Sequence, residues 1–481
     1  MKKLGNSVYM IVCRIVCLLP LVGMIFYKTD STTENRTLAS MPSVMKDDKV
    51  NVSFLKELGG YFEDHFAFRQ ELVSADAEIQ SKVFHVSNVD TVMVGEDDWL
   101  YYTDTLDDFL GRNVMSERQL YCTAHNLSLL QRYVNAQGVP FVFTVAPNKN
   151  TLYPEHMPYY TERKADTNKN IDLLKPVLEN CGVEYVDLFP LFEEQNETLY
   201  LKRDSHWNNK GAVLAYDVLL DELQREHETY ESVKAIRTKT AYGDLNKMIY
   251  PLTAKPEWDY YYQNEKQWTY TSEEENVEAA WIQTKNEDGS GSLLMFRDSF
   301  GNTLLPLMAQ EFSDAAFSKG VPYRIEEYMK KCEPEFVIVE KVERNLDEYM
   351  HTPPVMHALE VDLSDAHADV QDGATLDVQV ADEDVQYYCL SGELSESVAN
   401  SNDNIYIRLQ IGDTAKVYEA FTTVDENTDY CYRMYLSKTQ LVSDGLGTGE
   451  VSVNVFVGAD ALEKKVCTKQ VNWDDFSLSD E

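Results

Sequence analysis

Asp204 and His206, in the segment RDSHWNNKGA (203–212), have the residue types and spacing of an acid–base pair. Side chains two residues apart in an extended segment point the same way. The Asp204 carboxylate can therefore orient the imidazole of His206 and fix its tautomer. Ser205 points to the opposite side and is a poor candidate for a nucleophile. An orienting carboxylate and a base together predict a separate nucleophile elsewhere in the chain.

Ser299, in GSLLMFRDSFGNTLLPLM, is the candidate for that nucleophile. An apolar run ends at Phe296, Arg297–Asp298–Ser299 forms the predicted turn, and a helix is expected immediately afterwards. Unpaired N–H groups and the positive end of the helix dipole favour a developing oxyanion there. The alternative is that Asp298 and Ser299 only cap the helix, since both types are preferred N-caps. A D-x-H segment is likewise often no more than a solvated loop.

The elements that must position these residues alternate between apolar runs and helical patterns. This order predicts an α/β domain with a mostly parallel sheet flanked by helices, over about residues 85–350. In such sheets, active-site residues collect at the C-terminal ends of the strands. The predicted strands are 139–147, 183–189, 291–300 and 335–342, and the predicted helices are 54–84 (one or two), 116–136, 165–179, 211–227 and 301–312.

Past residue 358 the pattern changes to period-two strands separated by Gly, Asn, Asp and Ser, which predicts an all-β module, a sandwich. Six cysteines lie outside the N-terminal apolar run and form no C-x-x-C pair, so neither a zinc site nor a thioredoxin-type site is indicated. Cys389 pairs with Cys431 or Cys467 in one interpretation, and the thiols stay isolated in the other.

The N-terminus carries Lys2 and Lys3, followed by the apolar run Val8 to Tyr27, which is long enough to cross a bilayer. Arg14 interrupts the run but lies in its first half, where it can reach toward the lysine side. The positive flank predicts that the N-terminus stays inside and the rest of the chain lies outside. Because no small-x-small cleavage signal precedes KTDSTTENRT, an uncleaved signal anchor is preferred to the alternative of a removed signal peptide, and everything after Lys28 is then outside the cytoplasm. The formal charge of −38, from 81 acidic against 43 basic residues, argues against nucleic acid or an anionic membrane surface as the main partner.

Several segments, in order, resemble the alginate O-acetyltransferase-like branch of the SGNH hydrolase superfamily, the AlgX/AlgJ or DHHW type. The resemblance covers about residues 34–350, and in this family the Asp-x-His segment precedes the serine. The segments that carry it are ENRTLASMP, YFEDHFAFRQEL, VGEDDWLYY, VAPNKNTLYPEHMP, YLKRDSHWNNKGA, YGDLNKM, FRDSFGNTLLP and FVIVEKVERNL.

The resemblance implies that Ser299 is the nucleophile, His206 the general base and Asp204 its orienter. The superfamily serine usually follows Gly-Asp, and Arg297 stands here in place of the glycine. The low-ranking candidates for substrate or oxyanion contacts are Arg297, Asn148, Tyr242 and Trp207, with Arg344 a further one. Asn148 is also a suitable loop cap, and Trp207 is either a lid or part of the core. Arg344 also suits an ion pair with Glu340, four residues earlier, if that segment is helical, or with another surface carboxylate.

By resemblance, the activity is O-acetylation of an exported or cell-surface polysaccharide, through an acyl-enzyme and without cofactor or metal. The acetyl group would come from a separate multi-spanning membrane acyltransferase. The alternatives are a carbohydrate acetylesterase with the same triad and a non-catalytic glycan-binding surface protein.

The predicted organisation is a membrane anchor (1–28), a linker with an N-terminal helical segment (29–84), the SGNH-like domain (85–357) and the β module (358–481). The module is either carbohydrate-binding or a structural spacer. Trp473, near its end, is its one tryptophan, so a stacking platform for sugars would have to use tyrosines: Tyr387, Tyr388, Tyr406, Tyr430 and Tyr432.

Overall fold

A computed structural model describes most of the chain after residue 37. The described residues are 10, 14–15, 18–20, 22–24, 26, 38–46, 49–162, 164–165, 168–230, 233–263, 266–363 and 368–476. Most of the predicted anchor, Val8 to Tyr27, lies outside them. Within the described part of the chain, none of the helices combines the length and the apolar character that crossing a bilayer requires.

The helices and strands follow the alternation expected from the sequence. The α-helices are α1 (Phe54–His65), α2 (Arg69–Ile79), α3 (Leu106–Phe109), α4 (Glu117–Asn135), α5 (Lys149–Leu152), α6 (Asn170–Asn180), α7 (Leu188–Glu193), α8 (Asn209–Glu222), α9 (Asp244–Ile249), α10 (Gly301–Glu311), α11 (Ile325–Cys332), α12 (Glu348–His351) and α13 (Lys438–Ser443). The strands up to residue 342 are β1 (Met45–Lys46), β2 (Lys49–Val50), β3 (Val92–Val94), β4 (Leu100–Tyr102), β5 (Phe141–Ala146), β6 (Tyr185–Val186), β7 (Ala235–Ala241), β8 (Glu257–Tyr262), β9 (Trp268–Tyr270), β10 (Trp281–Asn286), β11 (Ser292–Arg297), β12 (Asp314–Lys319) and β13 (Phe336–Val342).

The central sheet has the strand order β6-β5-β13-β11-β12-β10-β9. The neighbours from β6 to β12 are parallel, while β10 pairs antiparallel with β12 and β9. This confirms the predicted α/β fold with a mostly parallel sheet. Parallel order brings the C-terminal ends of β5, β11 and β13 to one edge, where the loops after them meet.

Each inner strand is apolar on both faces because helices cover both sides of the sheet. On β11, Leu293 and Met295 face one hydrophobic core, whereas Leu294 and Phe296 face the other. This explains why the parallel strands are continuous apolar runs instead of alternating ones.

The antiparallel strands β3 and β4 form a hairpin near residues 91–104. It shares a small core with α2 and α9, in which Ala77, Leu100 and Ile249 are buried. The hairpin and α9 therefore lie together beside the loop that carries Asp204.

The C-terminal region is β-rich, as predicted. Its strands are β14 (Glu360–Val361), β15 (Asp369–Val370), β16 (Asp377–Val380), β17 (Tyr387–Glu393), β18 (Asn404–Ile411), β19 (Thr414–Thr423), β20 (Cys431–Ser437), β21 (Glu450–Gly458) and β22 (Lys464–Asn472). The first part of β19 pairs with β18 and its last three residues pair with β20, so β19 joins two groups of strands. Side chains from both groups pack into one core.

Two of the alternatives left open for this region do not fit the structure. Tyr387, Tyr388, Tyr406 and Tyr432 are at most 7% exposed, so they cannot present faces to a sugar, and Tyr430 is partly buried. They are buried because both faces of these strands are covered: Tyr388 and Tyr432 lie in the main core of the region, where Tyr388 stacks on Trp473 at 4.2 Å, while Tyr387 and Tyr406 pack in two smaller clusters. The disulfide of Cys389 with Cys431 or Cys467 is not formed, because every cysteine of the described chain is a free thiol.

Candidate active site

The loop with Asp204 and His206 is fixed at both ends. A bridge between Tyr200 and Trp207 closes its base. The next residue, Asn208, caps α8, because its side chain accepts hydrogen bonds from two N–H groups of the first turn, both at 3.0 Å. The D-x-H segment therefore lies between a closed loop base and a capped helix.

Trp207 is part of the core and not a lid. It is 1% exposed and packs edge-to-face against Phe300, with ring centroids 5.0 Å apart. Its indole N–H donates to Thr303 Oγ1 on α10 at 2.6 Å. This bond ties the D-x-H loop to the helix that follows Ser299.

Asp204 orients His206 in the manner expected. Asp204 Oδ1 lies 2.6 Å from His206 Nδ1 and also accepts the His206 backbone N–H at 2.9 Å. Asp204 Oδ2 accepts the backbone N–H of Asp244 at 2.9 Å. A carboxylate can only accept, so the imidazole proton lies on Nδ1 and Nε2 is left as the acceptor.

The charges around the imidazole favour its protonated form. Burial alone lowers the pKa of His206, but the charge and hydrogen bond of Asp204, together with the charge of Asp244, outweigh it, and the net pKa is raised. Burial also raises the pKa of Asp204, yet the charge and hydrogen bonds of His206 bring it well below its usual range. An imidazole that gains a proton from a serine is thus stabilised where it stands.

Ser299 completes the arrangement. It follows β11 and precedes α10, and its Oγ lies 2.8 Å from His206 Nε2. The structure brings Asp204, His206 and Ser299 into one hydrogen-bonded chain, although 93 residues separate the histidine from the serine.

Neither Asp298 nor Ser299 caps α10, because its N-cap residue is Phe300 and no side chain accepts a capping hydrogen bond there; Asp298 instead closes the turn before the helix. Asp298 Oδ1 accepts the N–H of Phe300 at 2.8 Å, and Asp298 Oδ2 accepts the N–H of Val342 at 2.7 Å. Asp298 therefore anchors the turn to the end of β13 and leaves the Ser299 hydroxyl for the imidazole.

Arg297 does not line the site, contrary to the expectation that it contacts substrate. It is 0% exposed, and its guanidinium donates to the carbonyls of Val277 and Ala279 and to Asn302 Oδ1. The adjacent Gly301 leaves it room, since a Cβ there would lie 2.6 Å from Arg297 Cβ. The arginine in place of the usual glycine thus supports the turn from beneath.

Asn148 lies at the C-terminal end of β5 and is 1% exposed. Its backbone N–H donates to the buried carboxyl of Glu343 at 2.7 Å, and its Oδ1 accepts from Arg344 at 3.4 Å. Its Nδ2 has no hydrogen-bond partner among the described residues. The side-chain amide of Asn148 is thus a buried donor that is left unused on this edge of the sheet.

Arg344 does not pair with Glu340. Its guanidinium lies over the rings of Tyr102 and Phe300, at 5.3 and 5.9 Å from their centres.

Asp244 was missed from the sequence, although YGDLNKM was among the segments that carried the resemblance. Besides holding Asp204, it accepts the N–H and the hydroxyl of Ser205, at 2.8 and 2.5 Å. Gly243 permits this approach, because a Cβ would lie 2.1 Å from the carbonyl oxygen of Arg203. Tyr242, a candidate contact residue, is 50% exposed beside this turn.

The side chains of Asp204, His206 and Asp244 could also be considered as ligands of a metal ion. Asp204, His206 and Asp244 each offer a ligand atom within 4.8 Å of the others, the one such set in the described part of the chain. However, their four carboxylate oxygens already accept hydrogen bonds from the backbone, from Ser205 or from the imidazole. This geometry fits a hydrogen-bonded catalytic array better than a metal site.

Comparison with known proteins agrees with the predicted family resemblance. Residues 92–288 match the family model described as the SGNH hydrolase-like domain of the acetyltransferase AlgX. The matched range contains Asp204, His206 and Asp244 and ends before Ser299. The resemblance inferred from the sequence is therefore confirmed for this part of the chain.

Curated relatives include two proteins named probable alginate O-acetylase AlgJ. That of Pseudomonas syringae pv. tomato is 25% identical over 228 residues, which are 44% of this chain and 55% of the relative. That of Pseudomonas aeruginosa is 25% identical over 169 residues, which are 35% of this chain and 41% of the relative. The chain thus spans about half the length of these relatives or less. Among solved structures, Bacillus cereus PatB1 is 16% identical with a TM-score of 0.42, over 53% of this chain and 96% of PatB1.

Proposed function

We propose that this chain, whose residues 92–288 match the family model of the AlgX-type SGNH hydrolase-like domain, is an O-acetyltransferase that modifies a polysaccharide outside the cytoplasm. The observation that carries the proposal is the chain of short contacts from Asp204 through His206 to the Ser299 hydroxyl. The name of the AlgJ relatives, probable alginate O-acetylase, supports an acetyl group and a polysaccharide acceptor.

In the first half-reaction, His206 Nε2 removes the proton from Ser299 Oγ as this oxygen attacks the carbonyl carbon of an acetyl donor. The bond from Ser299 Oγ to the acetyl carbon forms and the bond to the leaving group breaks. The leaving group takes the proton from His206. Asp204 stabilises the imidazolium between these two transfers but keeps its own negative charge.

The negative oxygen of the tetrahedral intermediate needs hydrogen-bond donors that are already in place. We assign this role to two donors that have no hydrogen-bond partner among the described residues: the Ser299 backbone N–H and Nδ2 of Asn148. Glu343 and Arg344 hold Asn148 from either side.

In the second half-reaction, a sugar hydroxyl attacks the acetyl-serine. His206 accepts the proton of that hydroxyl, the acetyl carbon leaves Ser299 Oγ, and the serine recovers its proton from His206. Water in place of the sugar would give the acetylesterase reaction with the same residues. The two activities therefore differ only in the acceptor.

The predicted anchor, Val8 to Tyr27, would hold the catalytic domain at the outer face of the membrane. A separate membrane-spanning acyltransferase would supply the acetyl group. Both statements belong to the proposal, which draws them from the apolar N-terminal run and from the family resemblance.

The test uses the full-length chain in mild detergent with p-nitrophenyl acetate, with and without an oligosaccharide acceptor. Mass spectrometry locates the acetyl group, and Ser299→Ala is compared with Ser397→Ala, a distant exposed serine. We expect acetyl-Ser299 in the wild type and in Ser397→Ala, and its transfer to the sugar. Loss of the acetyl group only to water would favour an esterase. Absence of acetyl-Ser299 would overturn the triad and favour a non-catalytic glycan-binding protein.

A further inference from the structure

A buried lysine lies directly beneath the loop that carries Asp204 and His206. Lys149 is 3% exposed and begins α5, immediately after Asn148. Its Nζ donates to the backbone carbonyls of Leu201 at 3.3 Å and Lys202 at 3.0 Å, and also to that of Asp204. One ammonium group thus uses three donors on three carbonyls of one short loop.

The aromatic surroundings of Lys149 fix the position of its charge. Its Nζ lies 5.6 Å from the ring centre of Trp99 and 5.2 Å from that of Tyr101, both on or beside β4 and both 1% exposed. The ring faces attract the cation, and the hydrogen bonds direct it toward the loop. The side chain is therefore held between the hairpin and the D-x-H segment.

We infer that Lys149 is a positioning residue for the acyl-transfer site, one whose ammonium group holds the Asp204–His206 loop in register with Ser299. The inference rests on the proposed function. It assigns Lys149 no contact with substrate, because the side chain acts through the backbone of residues 201–204.

The same ammonium also balances negative charge at the site. Asp204 and Asp244 are both close to the imidazole, and a fixed cation below the loop lowers the cost of keeping them ionised.

Lys149 also connects two parts of the site. Since Asn148 and Lys149 are consecutive, the start of α5 links the candidate oxyanion donor to the loop that carries His206. A displacement of one would be transmitted to the other.

Lys149 also predisposes the site to lose order at alkaline pH. Burial lowers the pKa of Lys149 to about 8, against the opposing effect of the nearby carboxylates. Deprotonation would remove both the charge and one of the three donors. The charged or titratable groups that face Lys149 are Asp204, Asp244, Glu257, Lys202 and the phenol of Tyr101.

The test compares Lys149→Met with Lys202→Met in the full-length chain. Lys202 is exposed and its ammonium lies 5.7 Å from the same Trp99 ring, but its side chain does not hold the loop carbonyls, so it is a matched control. A sulfonyl fluoride that labels Ser299 reports the reactivity of the serine. A low-field NMR resonance of His206 Nδ1–H reports its bond to Asp204.

We expect Lys149→Met to slow labelling by about 100-fold, the size of effect that a misplacement of about 1 Å produces. The low-field resonance should weaken, and kcat for acetyl transfer should fall while KM stays near its original value. Lys202→Met should behave like the wild type. A folded Lys149→Met protein with normal labelling and an unchanged resonance would overturn the inference, since a purely structural lysine lowers stability without changing these signals.

A pH series on the wild type and a Ser299→Ala control distinguish failure of the Lys149 inference from failure of the proposed function. If Lys149→Met does not fold, the wild type is labelled between pH 6 and pH 10. A decline above about pH 8 supports the inference, and a constant rate there contradicts it. Ser299→Ala is run beside both. If the wild type itself is not labelled at Ser299, the proposed function fails, whereas normal labelling of both the wild type and Lys149→Met refutes only the role of Lys149.

Discussion

Replacing Glu419 with glutamine tests how firmly the C-terminal β region is attached to the α/β domain. Glu419 lies on β19 and is buried against α4. Its Oε1 is 3.0 Å from His125 Nε2, and its Oε2 is 2.6 Å from a guanidinium nitrogen of Arg132. The carboxylate is 5% exposed, so removing its charge leaves two α4 side chains without their partner.

The size of the effect follows from the pKa of this carboxyl. Burial alone would raise it, but the hydrogen bonds and charges of His125 and Arg132 lower it from 4.5 to about 2. At about 1.4 kcal/mol for each pH unit, this difference corresponds to about 3 kcal/mol of stability. Arg132 is 44% exposed, so solvent screening makes about 2–3 kcal/mol the better figure.

The pH dependence has a definite sign. Because the folded pKa lies below the unfolded one, the stabilisation is complete above about pH 4.5 and is lost as the pH falls toward about 2. Urea unfolding, followed by far-UV circular dichroism, should show Glu419→Gln less stable by about 2–3 kcal/mol at pH 7 and by about 1 kcal/mol at pH 3. The control is Glu450→Gln, at an exposed carboxylate of β21. A loss of equal size at both pH values, or none at pH 7, would refute this electrostatic account.

Three other perturbations address the residues of the proposed acyl-transfer site. Asp204→Asn should reduce turnover by about 10⁴ while the fold persists, because the wrong tautomer of His206 is then favoured; turnover within tenfold of the wild type, with an unchanged melting temperature, would contradict its role. The rate of Ser299 acylation should follow the fraction of His206 that is neutral, because only the neutral imidazole can accept the serine proton. Since the pKa of His206 is raised above its usual value of 6.5, the rate should fall with decreasing pH around a midpoint above 6.5. A midpoint below 6.5 in rapid-quench assays would argue against the Asp204 contact. Gly243→Ala should impair both stability and labelling, because its methyl group would meet the carbonyl of Arg203, and normal values of both in melting and labelling assays would show that the turn can relax.

The residues of the triad could be predicted because their local settings are properties of the chain. A spacing of two residues places Asp204 and His206 on one side of an extended segment, and the apolar run before Ser299 is followed by a polar turn and a helical pattern. The parallel sheet was predictable for a similar reason, since strands covered on both faces must be apolar at successive positions, as Leu293 to Phe296 are.

Only the tertiary structure shows which distant residues support Asp204, His206 and Ser299. Trp207 reaches Thr303, the Asp244 N–H reaches Asp204, and Lys149 reaches the carbonyls of the loop. Arg297 was expected to face the site, yet the carbonyls that it needs are beneath the turn. None of these contacts has a signal in residue spacing.

The physical reason is that hydrophobic periodicity specifies which face of an element is buried but not which element covers it. The order β5-β13-β11 sets Asn148 and Lys149 near Ser299 only once the sheet has formed. In the same way, period-two alternation predicted the C-terminal strands, whereas burial of Tyr388 against Trp473 depended on how those strands pack. The sequence by itself therefore determined which side chains form the site and which local segments carry them. The packing of distant elements determined the contacts that orient these side chains and balance their charges.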